Sequence, residues 1–60
     1  MTDIAPVILV IEDEPMIRRF VRRALETEGF RVVEADSMRQ ALREAVACQP
    51  TLVLLDLGLP

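Results

Sequence analysis

Apolar residues in this chain form three short clusters separated by longer stretches of mixed character. Two clusters are continuous, at Val7–Ile11 and at residues 51–55, where Thr51 precedes four apolar residues, and a mixed one at residues 30–34 contains a Val-Val pair. Continuous apolar runs of this length are typical of strands that are buried on both faces of a parallel sheet. We therefore predict three β-strands at these positions.

Between the predicted strands, apolar residues recur with the period of an α-helix, about 3.6 residues. The two sets are Ile17, Phe20, Val21, Ala24 and Leu25, and then Met38, Ala41, Leu42, Ala45 and Val46. Pro15 suits the first turn of the first helix, and Gly29 suits its C-terminal cap. Ser37 and Gln40 have the spacing of a capping box for the second helix, which Pro50 prevents from continuing. Each helix is predicted to bury one apolar face.

The predicted order of elements is β-α-β-α-β, which implies an α/β fold with a parallel sheet and right-handed crossovers. The chain has 60 residues, so it holds at most one domain, and 52% of them are hydrophobic. Disordered segments are poor in apolar residues. The composition therefore favours a piece of a larger buried core.

Composition also excludes several functions for these residues. The seven basic residues are all arginine, and the absence of histidine excludes histidine metal sites and Ser/His or Cys/His nucleophilic pairs. The net charge of −3 gives no support for nucleic-acid binding, which normally uses a basic face. The single cysteine, Cys48, favours a reducing, cytoplasmic setting, and no signal peptide or membrane span is predicted. Four arginines, at 18, 19, 22 and 23, are interpreted as a solvated helix face.

Acidic residues follow the first and third predicted strands. Glu12 and Asp13 follow the first, and Asp56 follows the third. Ligands of open parallel sheets bind beyond the carboxyl ends of the strands, so these carboxylates are expected to converge there. Such a group suits Mg²⁺, and a carboxylate whose charge is offset can act as a nucleophile toward a phosphoryl group. Taken singly, Glu12 and Asp13 could instead cap the following helix, and Asp56 could simply begin a loop.

Several segments resemble the receiver domain of bacterial response regulators. They are Val-Ile-Glu-Asp-Glu at 10–14, Gly-Phe at 29–30, Glu-Ala at 34–35 and Leu-Leu-Asp-Leu-Gly-Leu-Pro at 54–60. The resemblance implies a flavodoxin-like (CheY-like) doubly wound sheet with strand order 2-1-3-4-5, of which residues 1–60 would supply 2-1-3. The second half of the domain and a DNA-binding output domain would then be absent. The closing Asp-Leu-Gly-Leu-Pro, together with Ile-Arg-Arg-Phe at 17–20 and Arg-Ala-Leu-Glu at 23–26, is similar, more narrowly, to the KdpE type of the OmpR/PhoB group. Regulators of that type control a potassium-transport operon.

The resemblance also implies roles for individual residues. Asp56 matches the phosphoacceptor, which also ligates Mg²⁺, and Asp13 matches the direct ligand of the ion. Glu12 would act on the ion mostly through water, and the backbone carbonyl of Gly58 would complete the protein ligands. The phosphoryl donor would be a phosphohistidine on a sensor histidine kinase. That kinase would dock around Pro15, Met16 and Arg19.

The family also uses a Ser or Thr after strand four and a Lys after strand five, and neither is present here. We expect a phosphoacceptor module of two-component signalling, not an enzyme in its own right, whose parent regulates transcription through DNA. The alternative is a truncated fragment that only binds or docks a kinase, without phosphotransfer. A Mg²⁺-dependent phosphatase would place Asp-x-Asp after the first strand, where this chain has Glu-Asp-Glu. The apolar strand at 51–55 would be an edge, so we also predict a homodimer through it.

Overall fold

The computed structural model describes residues 5–55, and its elements follow the predicted order. They are β1 (Val7–Ile11), α1 (Pro15–Thr27), β2 (Arg31–Ala35), α2 (Met38–Cys48) and β3 (Leu52–Leu55). The bounds of β1 and the start of both helices agree with the sequence pattern. The second strand lies one residue later than predicted, and the third begins at Leu52 instead of residue 51.

The three strands form one parallel sheet in the order β2-β1-β3, which confirms the predicted arrangement. The central strand β1 is hydrogen-bonded on both sides. Its last residue, Ile11, pairs with Ala35 of β2 and with Leu55 of β3. The carboxyl ends of all three strands therefore lie at one edge of the sheet.

The main core lies between the sheet and α2. It consists of the buried side chains of Leu9, Ile11, Ala35 and Ala41, against which Val33 and Ala45 pack. Successive side chains of a strand point to opposite faces, so the even-numbered residues of β1 and β2 face the other way. Glu34 of β2 accordingly bonds to Arg18 of α1. The two helices thus cover opposite faces of the sheet.

The predicted role of Gly29 at the end of α1 is confirmed. Gly29 has a φ of +95°, a conformation that a residue with a Cβ rarely adopts. Its amide donates to the carbonyl of Glu26 at 3.0 Å, and the amide of Phe30 donates to that of Leu25 at 3.2 Å. These two bonds form a Schellman motif, which satisfies carbonyls that the helix leaves open. The motif turns the chain directly into β2.

The capping box at the start of α2 is also present, with one difference. The hydroxyl of Ser37 accepts from the amide of Gln40 at 3.2 Å, as predicted. The return bond comes from the amide of Asp36, at 2.7 Å from Gln40 Oε1, and not from that of Ser37. At the other end Gln49 caps the helix in the left-handed region, with a φ of 48°. Both ends of α2 are therefore defined by local hydrogen bonds and backbone conformation.

The predicted burial of the apolar helix faces is wrong in part. On α2 only Ala41 is buried, and no residue of α1 is. Most of the larger apolar side chains of both helices are exposed, namely Met16, Ile17, Phe20, Met38, Leu42 and Val46, whereas Val21 and Leu25 are half-buried. Neither helix packs directly on β3, whose four residues remain between 36% and 50% exposed. The prediction that this strand is buried on both faces is also wrong, because the two helices cover only β1 and β2.

Within the part of the chain that the structure describes, no helix is long and apolar enough to cross a membrane.

Candidate functional site

Three consecutive acidic residues, Glu12, Asp13 and Glu14, connect β1 to α1 and are called the acidic turn below. The amide of Glu12 donates to the carbonyl of Ala35 at 3.0 Å, which extends the pairing with β2 by one residue. The Glu12 side chain is buried, with 3% exposure, and its Oε2 accepts from the amide of Glu14 at 3.0 Å. Glu12 therefore holds the turn compact from inside.

The helix-capping role that acidic residues can play after a strand belongs here to Glu14. Its Oε1 accepts from the amide of Met16 at 3.0 Å, and Pro15 occupies the first helical position. A side-chain oxygen at this position satisfies one of the amides that the first helical turn leaves without a partner. The cap of α1 thus does not require Glu12 or Asp13.

Asp13 and Glu14 are the exposed members of the acidic turn, and Asp13 is the one whose carboxylate does not cap α1. No hydrogen bond or ion pair joins its carboxylate to another residue between 5 and 55. A solvated carboxylate beside a buried one can ligate a hard cation directly, while the buried neighbour contributes charge. The exposures of Asp13 and Glu12 therefore suit the different roles expected of them.

The other two expected site residues, Asp56 and Gly58, lie outside the described residues. The register nevertheless relates the strand ends that precede them. Ile11 precedes Glu12 and pairs with Leu55, which precedes Asp56 in the sequence. Among residues 5–55 no three carboxylate or cysteine side chains are grouped closely enough to hold a metal ion.

An arginine that sequence reasoning assigned to a solvated face bonds to the acidic turn. Arg18 donates from Nη1 to the carbonyl of Glu12 at 2.8 Å and from Nε to Glu34 Oε1 at 3.0 Å. Its side chain is only 20% exposed. Arg22, one helical turn later, donates to the second carboxylate oxygen of Glu34 and, at 3.0 Å, to Glu26. The spacing of Arg18 and Arg22 was the available signal, since residues four apart share a helix face.

Salt bridges within α1 and between α1 and β2 form a network that pairs two arginines, Arg18 and Arg22, with two glutamates, Glu26 and Glu34. Burial by itself would raise the pKa of Glu34, but the hydrogen bonds from Arg22 and Arg18 outweigh it and bring that pKa below its ordinary value. Bonds to Glu26 and Glu34 raise the pKa of Arg22. Glu34 is therefore a carboxylate, and Arg22 is a cation, at neutral pH.

An open groove lies between α1 and β3, with a volume of about 220 Å³. Its lining is apolar apart from one residue and comprises Val10, Ile11, Glu12, Ile17, Val21, Leu54 and Leu55. The groove separates α1 from β3 and leads to the buried member of the acidic turn. Its apolar walls do not suit a phosphate or a metal ion.

The fold and the acidic turn define a class of protein: a parallel α/β domain with acidic residues at the carboxyl edge of its sheet. The family model for the response regulator receiver domain matches residues 8–60, and the chain belongs to that family. Receiver domains of response regulators are phosphorylated by sensor histidine kinases, and they generally use Mg²⁺ for this.

Among relatives, the chain is 53% identical over 53 residues to the KDP operon transcriptional regulatory protein KdpE of Escherichia coli. It is 47% identical over 53 residues to the transcriptional regulatory protein KdpE of Mycobacterium tuberculosis. Over 53 residues it is 40% identical to the transcriptional regulatory protein ResD of Bacillus subtilis. Each match covers 88% of this chain but only 22% to 24% of the relative. The chain therefore spans about a quarter of the length of these transcription regulators.

Proposed function

We propose that the chain is the phosphoacceptor part of a response regulator and that Asp56 accepts a phosphoryl group from a sensor kinase phosphohistidine. One observation carries the proposal. Leu55 pairs with Ile11 at the edge where parallel sheets bind ligands, and in the sequence these two residues directly precede Asp56 and Glu12. The family match across residues 8–60 supports the same assignment.

The acidic turn fits a Mg²⁺ ion. Asp13 would ligate it directly, Glu12 mostly through water, and Asp56 together with the carbonyl of Gly58 would complete the protein ligands. Mg²⁺ keeps several waters and needs only one or two carboxylates, which the exposed Asp13 and the buried Glu12 can provide. When bound, the ion offsets the charge of the carboxylates and of the transferred group.

The parent protein, we propose, is a DNA-binding transcription regulator of potassium transport that works in the cytoplasm. The support is the similarity to two proteins named KdpE, one of them described as a regulator of the KDP operon. The net charge of −3 gives no support for DNA binding by these residues. We therefore assign DNA binding to an output domain of the parent, as the resemblance to the OmpR/PhoB group implies.

A second candidate is a kinase-docking module without phosphotransfer. The observation that favours it is a groove on the outer surface of α1, lined by Met16, Arg19, Phe20 and Arg23. Met16 and Phe20 are 77% and 73% exposed, which is unusual for large apolar side chains with no binding role. This surface includes Met16 and Arg19 of the expected kinase-docking region.

We further propose that the isolated 60-residue chain forms a homodimer through β3. This strand is at the edge of the sheet and is uncovered on both faces, with Leu52 and Leu55 each 50% exposed. A flat apolar edge offers unpaired amides and carbonyls to a second strand. Antiparallel pairing of two β3 strands would give a closed, two-fold, six-stranded sheet. Sedimentation showing a folded monomer at high concentration would contradict this.

The metal assignment can be tested by titrating Mg²⁺ into the chain and into two variants, with NMR or calorimetry as the readout. Asp13→Asn should weaken binding about tenfold or more, because it removes the charge of a direct ligand. Asp36→Asn is the matched control, since Asp36 is an exposed acid just after β2. Equal affinities for wild type and Asp13→Asn would remove Asp13 from the site.

Phosphoacceptance can be tested in a chimera in which residues 8–60 replace the matched segment of the Escherichia coli relative. The chimera supplies the Ser or Thr and the Lys that this chain lacks, and without them we expect the chain alone to accumulate little aspartyl phosphate. Acetyl phosphate and the cognate kinase should both label the chimera, and Asp56→Asn should abolish the label. A folded chimera that binds the kinase but takes label from neither donor would favour the docking function.

A further inference from the structure

The bond from Arg18 to the acidic turn involves the peptide group that joins Glu12 to Asp13. Arg18 Nη1 lies 2.8 Å from the carbonyl oxygen of Glu12. Because a peptide group is planar, the direction of this carbonyl also sets the position of the Asp13 amide and Cα. On the other side of Glu12, the bond from its amide to the carbonyl of Ala35 ties the chain to β2. The backbone that leads into Asp13 is thus held at two points.

Arg18 is itself held by the sheet as well as by its own helix. Its Nε donates to Oε1 of Glu34, a β2 residue whose register partner on β1 is Val10. Arg22 occupies the other oxygen of the same carboxylate. A guanidinium presents its donors in a rigid fork, so one anchored N–H fixes the direction of the others. Glu34 also balances the charge of Arg18, which would otherwise repel a cation at the acidic turn.

We propose that Arg18 is a positioning residue for Asp13: it fixes the Glu12–Asp13 peptide and thereby directs the Asp13 carboxylate toward the ion. The inference rests on the proposed function of Asp13 as a Mg²⁺ ligand. In this role Arg18 would act through its bond to the Glu12 carbonyl and not as a ligand of the ion. Partners of this kind orient metal ligands, and their loss weakens binding without removing a ligand.

Two simpler roles for Arg18 predict different results. If its charge alone mattered, removing the cation would make the acidic turn more negative and would tighten Mg²⁺ binding. If Arg18 only joined α1 to β2, its loss would lower stability and leave the affinity of the folded protein unchanged. Positioning predicts weaker Mg²⁺ binding, which is opposite in sign to the effect of charge.

The experiment is a Mg²⁺ titration of the 60-residue chain and its variants, followed by ¹H–¹⁵N NMR, which reports on folded molecules. Arg18→Ala should weaken binding about three- to tenfold. Arg18→Lys, which keeps the charge and most of the stem but not the fork, should weaken it about two- to fivefold. Arg22→Ala is the control, because it removes a cation and a bond to Glu34 from the same helix but not the bond to Glu12. Its affinity should stay within about twofold of wild type.

A second readout does not depend on the metal. The Asp13 amide belongs to the peptide group whose carbonyl accepts from Arg18, so its resonance should move in Arg18→Ala and Arg18→Lys without Mg²⁺, and little in Arg22→Ala. An Asp13 resonance that moves no more in the Arg18 variants than in Arg22→Ala would overturn the inference. So would Mg²⁺ affinity that is unchanged or higher in Arg18→Lys. Failure of wild type to bind Mg²⁺ would instead overturn the proposed function, and the positioning role with it.

Discussion

Replacing Leu9 by alanine is the most demanding test of the core described above. Leu9 lies in the middle of the central strand and is 1% exposed. Several of the side chains around it are alanines: Ala35 of β2, and Ala41 and Ala45 of α2. Alanines have no rotamers through which they could fill a void. We therefore expect the space left by the missing isobutyl carbons to remain largely open.

The size of the effect follows from the atoms removed. Three buried carbons at about 0.8 kcal/mol each correspond to a transfer loss of about 2.4 kcal/mol. An unfilled cavity raises the cost of such a substitution to about 3–5 kcal/mol. At roughly 0.05–0.15 kcal/mol per residue, a domain of 60 residues has a total stability of about 3–9 kcal/mol. Leu9→Ala should therefore remove about a third or more of the free energy of unfolding.

Urea denaturation followed by circular dichroism provides the measurement, at a protein concentration held constant for all variants because of the proposed dimer. Leu42→Ala is the matched control: it removes the same atoms from a leucine that is 64% exposed on α2. We expect that control to change stability by less than about 1 kcal/mol. Equal losses in Leu9→Ala and Leu42→Ala would refute the reasoning, since they would show that burial at Leu9 does not decide its contribution.

Three further predictions concern local interactions. The pKa of Glu34 is lowered in the folded state, so its stabilising effect is complete above its unfolded pKa and is lost as pH falls through the lower folded value. Glu34→Gln should therefore cost about 0.5–1 kcal/mol near neutral pH and much less near pH 3, as urea midpoints at the two values would reveal. Ser37→Ala should cost about 1 kcal/mol in the same assay through loss of the cap on Gln40, whereas Ser37→Asp should not. Gly29→Ala should cost about 1–2 kcal/mol from backbone conformation alone, because a Cβ there meets no atom within 4 Å; an unchanged thermal midpoint would contradict this.

The acidic turn shows how far the candidate site could be predicted. The position of Glu12 and Asp13 after a buried strand follows from local pattern, and the structure places both at the carboxyl edge of the sheet. The local pattern does not predict that Glu12 is buried and Asp13 exposed. That difference depends on how the turn folds back, so that the Glu14 amide donates to the Glu12 carboxylate. The cap provided by Glu14 was missed for a similar reason: the pattern indicates that an acid caps this helix but not which one.

By itself, the sequence determined the elements and, to within one residue for the strands, their ends. These features depend on interactions between residues that are close together in the sequence, so they can be predicted from it. They include the periods of strands and helices, the glycine after α1 and the serine before α2. Only the tertiary structure decided which apolar residues are buried. Phe20 fits the helical period of α1 yet is 73% exposed, because burial depends on what lies opposite a residue and not on its spacing. The bond between Arg18 and Glu34 joins residues 16 positions apart, and it forms because α1 crosses the face of the sheet on which the Glu34 side chain lies.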